Sequence, residues 1–310
     1  MAGTYVKCRS MLLVIAVVAI GGEVTARYAG FGQPPLAIRD DKIEYYLAPD
    51  RHYERFGHDY RVNRYGMRSD DVDMGAVETR FSFAVLGDSV VYGNRLNQAD
   101  TVPAQIQKLL RAKAGDQKAL VNSIAASGWG PENLLEFHKR FGPFPGNTAW
   151  IVQSTADMVD VIDSVNKVLP YRTAAPYGAL HDLALSIGQS VVLRTLRGTA
   201  APLEQEDRLR RADAALNTLI MALKSDYNQV ILVFHATRDE AISGTADGLA
   251  HYRAVAREHA IDFVSTMDLY ARAYHSNLPP HYDDIHLSKD GARMLSELLA
   301  AGIDPPHSED

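Results

Sequence analysis

The chain has a single cysteine, Cys8, among 310 residues, so no internal disulfide can form, and no Cys/His grouping has zinc-ligand spacing. Basic excess is missing too: 32 Lys and Arg stand against 38 Asp and Glu, a formal charge of −6, and the cations are scattered. That removes the electrostatic footprint of a nucleic-acid binder, and no nucleic-acid partner is expected. Internal repeats and low-complexity tracts are absent, and nothing calls for a metal or an organic cofactor. What the chain does have is 46% hydrophobic residues, enough for one α/β domain of about 200–230 residues with an N-terminal extension.

The one long apolar run is Met11 to Gly22, preceded by Lys7 and Arg9. It is short against the roughly 20 residues of a full span, which suits a cleaved signal peptide. Continuation through Val24, Thr25, Ala26 and Tyr28, interrupted by Glu23 and Arg27, suits a longer uncleaved helix. A buried helix of the fold is the third reading. In either membrane reading, the positive charges before the run keep the N-terminus in the cytoplasm and the remainder outside. Cys8 precedes the run, so it is not placed as a lipoprotein cysteine.

Two short motifs about two hundred residues apart carry the chemistry. Phe81 to Leu86 reads as a buried strand and Gly87 breaks it, so Ser89 of Gly87-Asp88-Ser89 falls in the turn at the strand's carboxyl end. In α/β sheets ligands bind there. Near the C-terminus stands Asp283-Asp284-Ile285-His286. A serine hydroxyl needs an imidazole to take its proton, and the imidazole needs a carboxylate to fix its tautomer. Taken alone each motif has a plainer reading, the first as a polar turn and the second as a loop before a helix capped by Ser288.

Together the motifs resemble the SGNH (GDSL-type) hydrolases, serine esterases and acyl transferases on a flavodoxin-like sheet. Gly87-Asp88-Ser89-Val90-Val91-Tyr92-Gly93 has the form of the family's first block, and Asp283 to Ser288 with Asp290-Gly291-Ala292-Arg293 that of its last. The resemblance covers Phe81 to Ala301. It implies Ser89 as nucleophile, His286 as general base, Asp283 as the residue orienting His286, and an α/β fold: a three-layer α/β/α sandwich with about five parallel strands. The middle blocks depart from the pattern. Val121 to Pro131 puts Ala125 at the usual oxyanion glycine, where a backbone N–H survives. Ser154-Thr155-Ala156-Asp157 puts Ala156 at the usual asparagine, with no side-chain donor. The remaining oxyanion donors are then the N–H groups of Ser89 and Ala125, joined by Thr155, Ser154 or Asn94, with Asn122 from an alternative alignment.

The rest alternates as a doubly wound sheet. Helices are expected over 101–114, 131–141, 209–223, 248–259 and 289–301, and strands over 119–124, 150–154, 230–234 and 261–264. The chain divides into a signal anchor or signal peptide (1–28), a membrane-proximal extended segment (29–79), the hydrolase-like domain (80–304, with an insertion at 160–205 around an apolar helical stretch, Leu180 to Leu196) and a disordered tail (305–310). Envelope-anchored relatives end an uncleaved helix with such a Glu and Arg, so the resemblance favours a signal anchor.

Asn63 to Ser69 reads as a turn or hairpin. Its Arg68 either faces an anionic or sugar substrate on the lip of the cleft, or packs at an edge strand in a surface salt bridge. Substrate contacts are sought among Asp88, Asn94, Trp129 (a sugar platform, or packing under a glycine turn), Thr155, Asp157 and His235. His281 is subordinate to His286, which alone has the right offset from Asp283. The expected function is an esterase or O-acyltransferase acting on small acyl esters, by analogy acetyl, of an envelope glycan. It would sit in the cell envelope, periplasmic or extracellular, with polysaccharide-assembly proteins as partners. The alternatives are a weakened domain that binds a polysaccharide or envelope partner, and a lipid esterase.

Overall fold

The computed structural model describes residues 2–71, 81–114, 119–144, 146–162, 171–196 and 205–303. The tail 305–310, and the parts of the expected insertion at 163–170 and 197–204, lie outside them. The chain opens with α1 (Ala2–Tyr28), continuous through Glu23 and Arg27. Among the described residues it is the one helix long and apolar enough to cross a membrane.

Between α1 and the main sheet the expected extended segment is instead built of two antiparallel hairpins. β1 (Ala37–Asp40) pairs with β2 (Glu44–Leu47), and β3 (Arg51–Arg55) with β4 (His58–Val62). The second closes on Phe56 and Gly57, at φ +52° and +77°. A tight hairpin needs two such left-handed residues, and phenylalanine in the first hides the signal that Asn-Gly would have given. The Asn63 turn follows, with Asn63 Oδ1 accepting from the amides of Tyr65 and Met67, both at 3.0 Å.

Five parallel strands then form the main sheet: β5 (Ser82–Gly87), β6 (Leu120–Ala125), β7 (Gly146–Gln153), β8 (Tyr227–Phe234) and β9 (Asp262–Ser265), in the order β6-β5-β7-β8-β9. Covered on both faces, the central strands are near-continuous apolar runs. All of β5 is buried, and Phe83 stacks on Trp150 of β7 at 5.7 Å. β7 starts at Gly146, earlier than the apolar run predicts, because Gly146 and Thr148 already pair with Tyr227 and Gln229 of β8.

The helices are α2 (Ser89–Tyr92), α3 (Val102–Ala114), α4 (Pro131–Phe141), α5 (Ala179–Leu196), α6 (Gln205–Asp226), α7 (Arg238–Ser243), α8 (Asp247–Glu258), α9 (Met267–His275) and α10 (Lys289–Ala301). α3 packs on α10, and α4 on α6. The crossover through α3 runs from β5 to β6 in one direction and that through α4 back past β5 to β7. Right-handed crossovers therefore place the two helices on opposite faces. The result is a three-layer α/β/α sandwich in the flavodoxin-like order, as expected, with its strand ends converging at the β5/β7 switch point.

Candidate active site

Gly87 ends β5 because the chain must double back at once. A Cβ there would lie 2.5 Å from Val91 Cγ2 and 3.1 Å from the Val152 carbonyl. Asp88 caps α2, accepting from the Val90 amide at 2.8 Å, and Ser89 is the first helical residue. Its N–H is one of the first-turn amides that have no acceptor within the helix. Gly93 closes the turn at φ +76°, where a Cβ would press to 2.8 Å from Thr101 Cγ2.

Arg68 holds this turn from beneath. It is buried, not on a lip and not in a surface salt bridge, and its guanidinium donates to the carbonyls of Tyr92, Gly93, Asp59 and Leu96 and to Gln98 Oε1, over 2.6–3.1 Å. Tyr60 lies against it at 4.1 Å. The five N–H donors of a planar fork match these acceptors one for one, and no other side chain could.

The second half of the site is the turn before α10. Asp283 Oδ1 accepts from the amides of Ile285 (3.0 Å) and His286 (2.8 Å), and its Oδ2 lies 2.8 Å from His286 Nδ1. Partial desolvation opposes ionisation of Asp283, but the His286 amide, the His286 ring and the Ile285 amide hold its carboxyl below the usual range. An ionised carboxylate only accepts, so Nδ1 carries the imidazole proton and Nε2 presents a lone pair. That nitrogen lies 2.9 Å from Ser89 Oγ. The competing acceptor, Asp88 Oδ2, is at 3.4 Å, beyond a good O–H···O contact. Desolvation pushes the Asp88 carboxyl up to about 6. Tyr282 stacks on His286 at 5.6 Å, and Arg95 lies over Tyr282 at 5.3 Å.

Two buried histidines support this turn. His235 Nε2 lies 2.9 Å from the Ile285 carbonyl, with Tyr270 Oη 3.3 Å from Nδ1. His281 Nε2 lies 3.1 Å from the Ala236 carbonyl, with Tyr274 Oη 2.8 Å from Nδ1. A carbonyl only accepts, so both rings are Nε2–H tautomers taking a phenol proton at Nδ1. Burial drives both pKa values down, to about 3 and about 4, and both are neutral. His235 is therefore buried beneath the Asp283–His286 turn and does not line the cavity beside His286.

The other expected contacts separate in the same way. Trp129 is buried, its Nε1 donating to the Tyr45 carbonyl at 3.1 Å, so it packs under the glycine turn and offers no sugar platform. Asp157 is buried, accepting at Oδ2 from the amide and hydroxyl of Ser154 at 2.6 and 2.8 Å. Its carboxyl is raised well above the usual range, first by desolvation and then by the charge of Asp88. Thr155 Oγ1 is engaged with Glu240 and the Gly248 amide. Ala125 is buried at the carboxyl end of β6, level with Gly87, and Ala156 is exposed in the turn after β7. Asn122 is fully buried in β6.

Of the polar candidates, Asp88 lies beside Ser89 and Asn94 faces His286, its Nδ2 3.5 Å from Nε2. A cavity of about 330 Å³ opens beside it, lined by Asn94, Arg95, Tyr171, Tyr282 and His286 and closed by Ser186 and Gln189 of α5. Among the described residues no cluster of His, Cys, Asp and Glu could hold a metal ion.

No protein-family profile and no curated protein matches the sequence. Among solved structures, the acetylxylan esterase Axe2 of Geobacillus stearothermophilus aligns over 72% of this chain and 95% of its own, at 16% identity and a TM-score of 0.47. A member of the lipolytic G-D-S-L family from Veillonella parvula aligns over 71% and 97%, at 12% identity and a TM-score of 0.43. The β6-β5-β7-β8-β9 sheet, with a serine turn closing its inner strand β5 and an Asp-x-x-His turn leading into the last helix, has the three-layer α/β/α architecture and the placement of the two motifs that the sequence leads one to expect.

Proposed function

We propose that this chain is a serine esterase or O-acyltransferase in which Ser89, His286 and Asp283 act as a triad. The supporting observation is the continuous contact from Ser89 Oγ through His286 to Asp283, at 2.9 and 2.8 Å. Ser89 Oγ attacks the ester carbonyl as His286 Nε2 takes its proton, and Asp283 stabilises the imidazolium. The oxyanion is held by the N–H groups of Ser89 and Ala125, and Asn94 Nδ2 supplies the donor that Ala156 cannot. Collapse returns the proton to the leaving alkoxide and leaves an acyl-enzyme. Water, or a sugar hydroxyl activated by the same His286, then attacks the acyl carbon and Ser89 Oγ recovers its proton.

The substrate is a small acyl ester on a glycan. The cavity supports this with aromatic rings, Tyr60, Tyr92, Tyr171 and Tyr282, interleaved with Arg95, Asn94 and Gln189. Flat apolar faces beside polar donors suit a saccharide better than an acyl chain. An open cavity beside His286 also weighs against a binding-only domain, whose cleft needs no serine in contact with an imidazole. α1 is read as an uncleaved anchor, with the hydrolase domain outside the cytoplasm in the cell envelope. The test is acetyl release from p-nitrophenyl acetate and from an acetylated oligosaccharide by the full chain in detergent. Activity lost in Ser89→Ala supports the reading, and equal rates in both proteins reject it.

A further inference from the structure

Over residues 179–189, the first half of α5 turns polar side chains inward and apolar ones outward. Asp182, Ser186 and Gln189, spaced i, i+4, i+7, face the protein. Asp182 is buried and accepts from Arg55 Nη1 (2.6 Å), Arg172 Nε (2.9 Å) and the Gly32 amide (2.9 Å). Ser186 accepts from Arg172 Nη2 at 2.8 Å, and Ser186 and Gln189 line the cavity beside His286. The outward side is apolar: Leu180, Leu185 and Ile187 are 38%, 38% and 58% exposed, with exposed Ala184 and Gly188 among them. A helix on a water-facing surface shows the opposite arrangement. Apolar out and polar in is at rest only where the surroundings are less polar than the protein beneath.

The place where α5 starts agrees with this. Glu23 of α1 accepts from the amides of Ala179 and Leu180, both at 2.9 Å, and pairs with Arg27 at 2.8 Å. Gly22 leaves room for Leu180, whose Cδ1 would lie 3.3 Å from a Cβ there. Above this junction the apolar side chains of α1 from Met11 to Ile20 are exposed, so the bare surface of α1 runs into that of α5. Tyr28 and Tyr177, the last residue of α1 and a residue just before α5, are 97% and 98% exposed. Tyrosines with an apolar ring and a wet hydroxyl collect at membrane boundaries.

We propose that this face rests on a lipid bilayer. α1 crosses it, α5 lies along its surface with the apolar side at the acyl boundary, and the cavity beside His286 opens at the membrane. The ester or acceptor hydroxyl is therefore carried there on a lipid-anchored saccharide. The bilayer contact rests on α1 as an anchor, and the substrate class on the esterase reading above.

The test uses the full chain in vesicles, with Cys8→Ser and an environment-sensitive fluorophore on Ile187→Cys or, as a control, Met221→Cys. Met221 is exposed on α6 near its junction with β8, at the end of the sheet away from the cleft. Doxyl-labelled lipid is expected to quench the label at 187 at least threefold more than the label at 221, and iodide the reverse. A label at 187 open to iodide overturns the proposal, and so does one shielded from both quenchers, which means a protein covers the face. Should the labelled variants misfold, diazirine-lipid adducts on the unaltered chain are expected in residues 177–189 as well as in α1, and adducts confined to α1 reject the contact. For the substrate, Leu185→Glu with Ile187→Glu is expected to cut turnover of a lipid-borne acetylated saccharide tenfold or more and leave p-nitrophenyl acetate hydrolysis unchanged. Equal losses on both substrates overturn the substrate class. Absence of any Ser89-dependent hydrolysis defeats the esterase reading alone, because the quenching result does not depend on it.

Discussion

Ser127 Oγ donates to Asn94 Oδ1 at 3.0 Å, and that bond fixes which end of the Asn94 amide is turned toward His286 and Ser89. With its oxygen taken, Asn94 presents Nδ2. Tyr171 Oη stands behind, donating to Ser127 Oγ at 3.0 Å, its phenol kept protonated by burial. Tyr45 Oη also bonds the Ser127 carbonyl. A relay of neutral donors thus reaches from the cavity wall to the Asn94 amide beside His286.

Asn94→Ala is expected to lower kcat by about 10²–10³, roughly 3–4 kcal/mol, with KM little changed, because the donor matters only once charge develops. Ser127→Ala keeps the amide but frees its orientation, and a loss of about tenfold is expected. On the proposal that Asn94 supplies the donor, Ala156→Asn should stay within about threefold of the unaltered protein. Steady-state kinetics on p-nitrophenyl acetate check all three, and an Asn94→Ala protein with full kcat removes Asn94 from the oxyanion site.

Asp283→Asn retains the size of the side chain but not its charge. An amide NH₂ opposite Nδ1 favours the tautomer with the proton on Nε2, which leaves no base facing Ser89. A fall of about 10⁴ in kcat is expected, with little change in the urea midpoint. A fall of less than tenfold would make Asp283 a structural residue of the turn only.

Arg68 yields a stability prediction. Arg68→Ala leaves the carbonyls of Tyr92, Gly93, Leu96 and Asp59 without their donor in a buried place, and a loss of about 3 kcal/mol or more is expected in urea melts. Arg68→Lys should recover only part, because an ammonium has three donors and no fork. A Lys variant equal to the parent would show that charge alone suffices.

Acid should weaken the fold through His235 and His281. Both stay neutral in the native state, to about 3 and about 4, whereas in the unfolded chain they protonate near 6.5. Below 6.5 the unfolded state binds protons that the native state refuses, so this contribution is full above 6.5 and is lost as pH falls toward 4. The slope is up to about 1.4 kcal/mol per pH unit for each histidine. Asp88 acts the other way. Its carboxyl is raised to about 6 by desolvation, so its cost grows as pH climbs from about 4 to 6, and it offsets part of the histidine term. Unfolding free energies at pH 7.5 and 5.0 are expected to differ less in His235→Gln than in the parent. An identical difference in the two proteins would rule His235 out as a source.

What was legible in the sequence was local. Gly87 to Gly93, the Asp283-to-His286 offset, Ser288 as cap and Pro131 at a first helical turn each state their geometry within a few residues, and the alternation of apolar runs gave the three-layer sandwich. What stayed hidden depends on partners far along the chain. Arg68 looked like a surface cation because its acceptors lie at Asp59, Tyr92, Gly93, Leu96 and Gln98, which only the tertiary fold brings round it. Ser154, Thr155 and Asn94 were equal candidates for a missing donor until Asp157 claimed Ser154 and Glu240 claimed Thr155. Trp129 and His235 read as cleft residues from the sequence because burial leaves no mark on a single polar-tipped ring.

Ser89 and His286 are 197 residues apart in the chain. The strand that leads into Ser89 lies between β6 and β7, both made after it, and the turn that carries His286 comes near the end. A polypeptide emerging from its N-terminus therefore exposes the serine long before it has a base to activate it. Contacts of such sequence separation form late and together. On the triad proposed above, a chain stalled or clipped before Asp283 would carry an inert hydroxyl, so acylation of Ser89 by an ester probe would report, copy by copy, which molecules had finished folding.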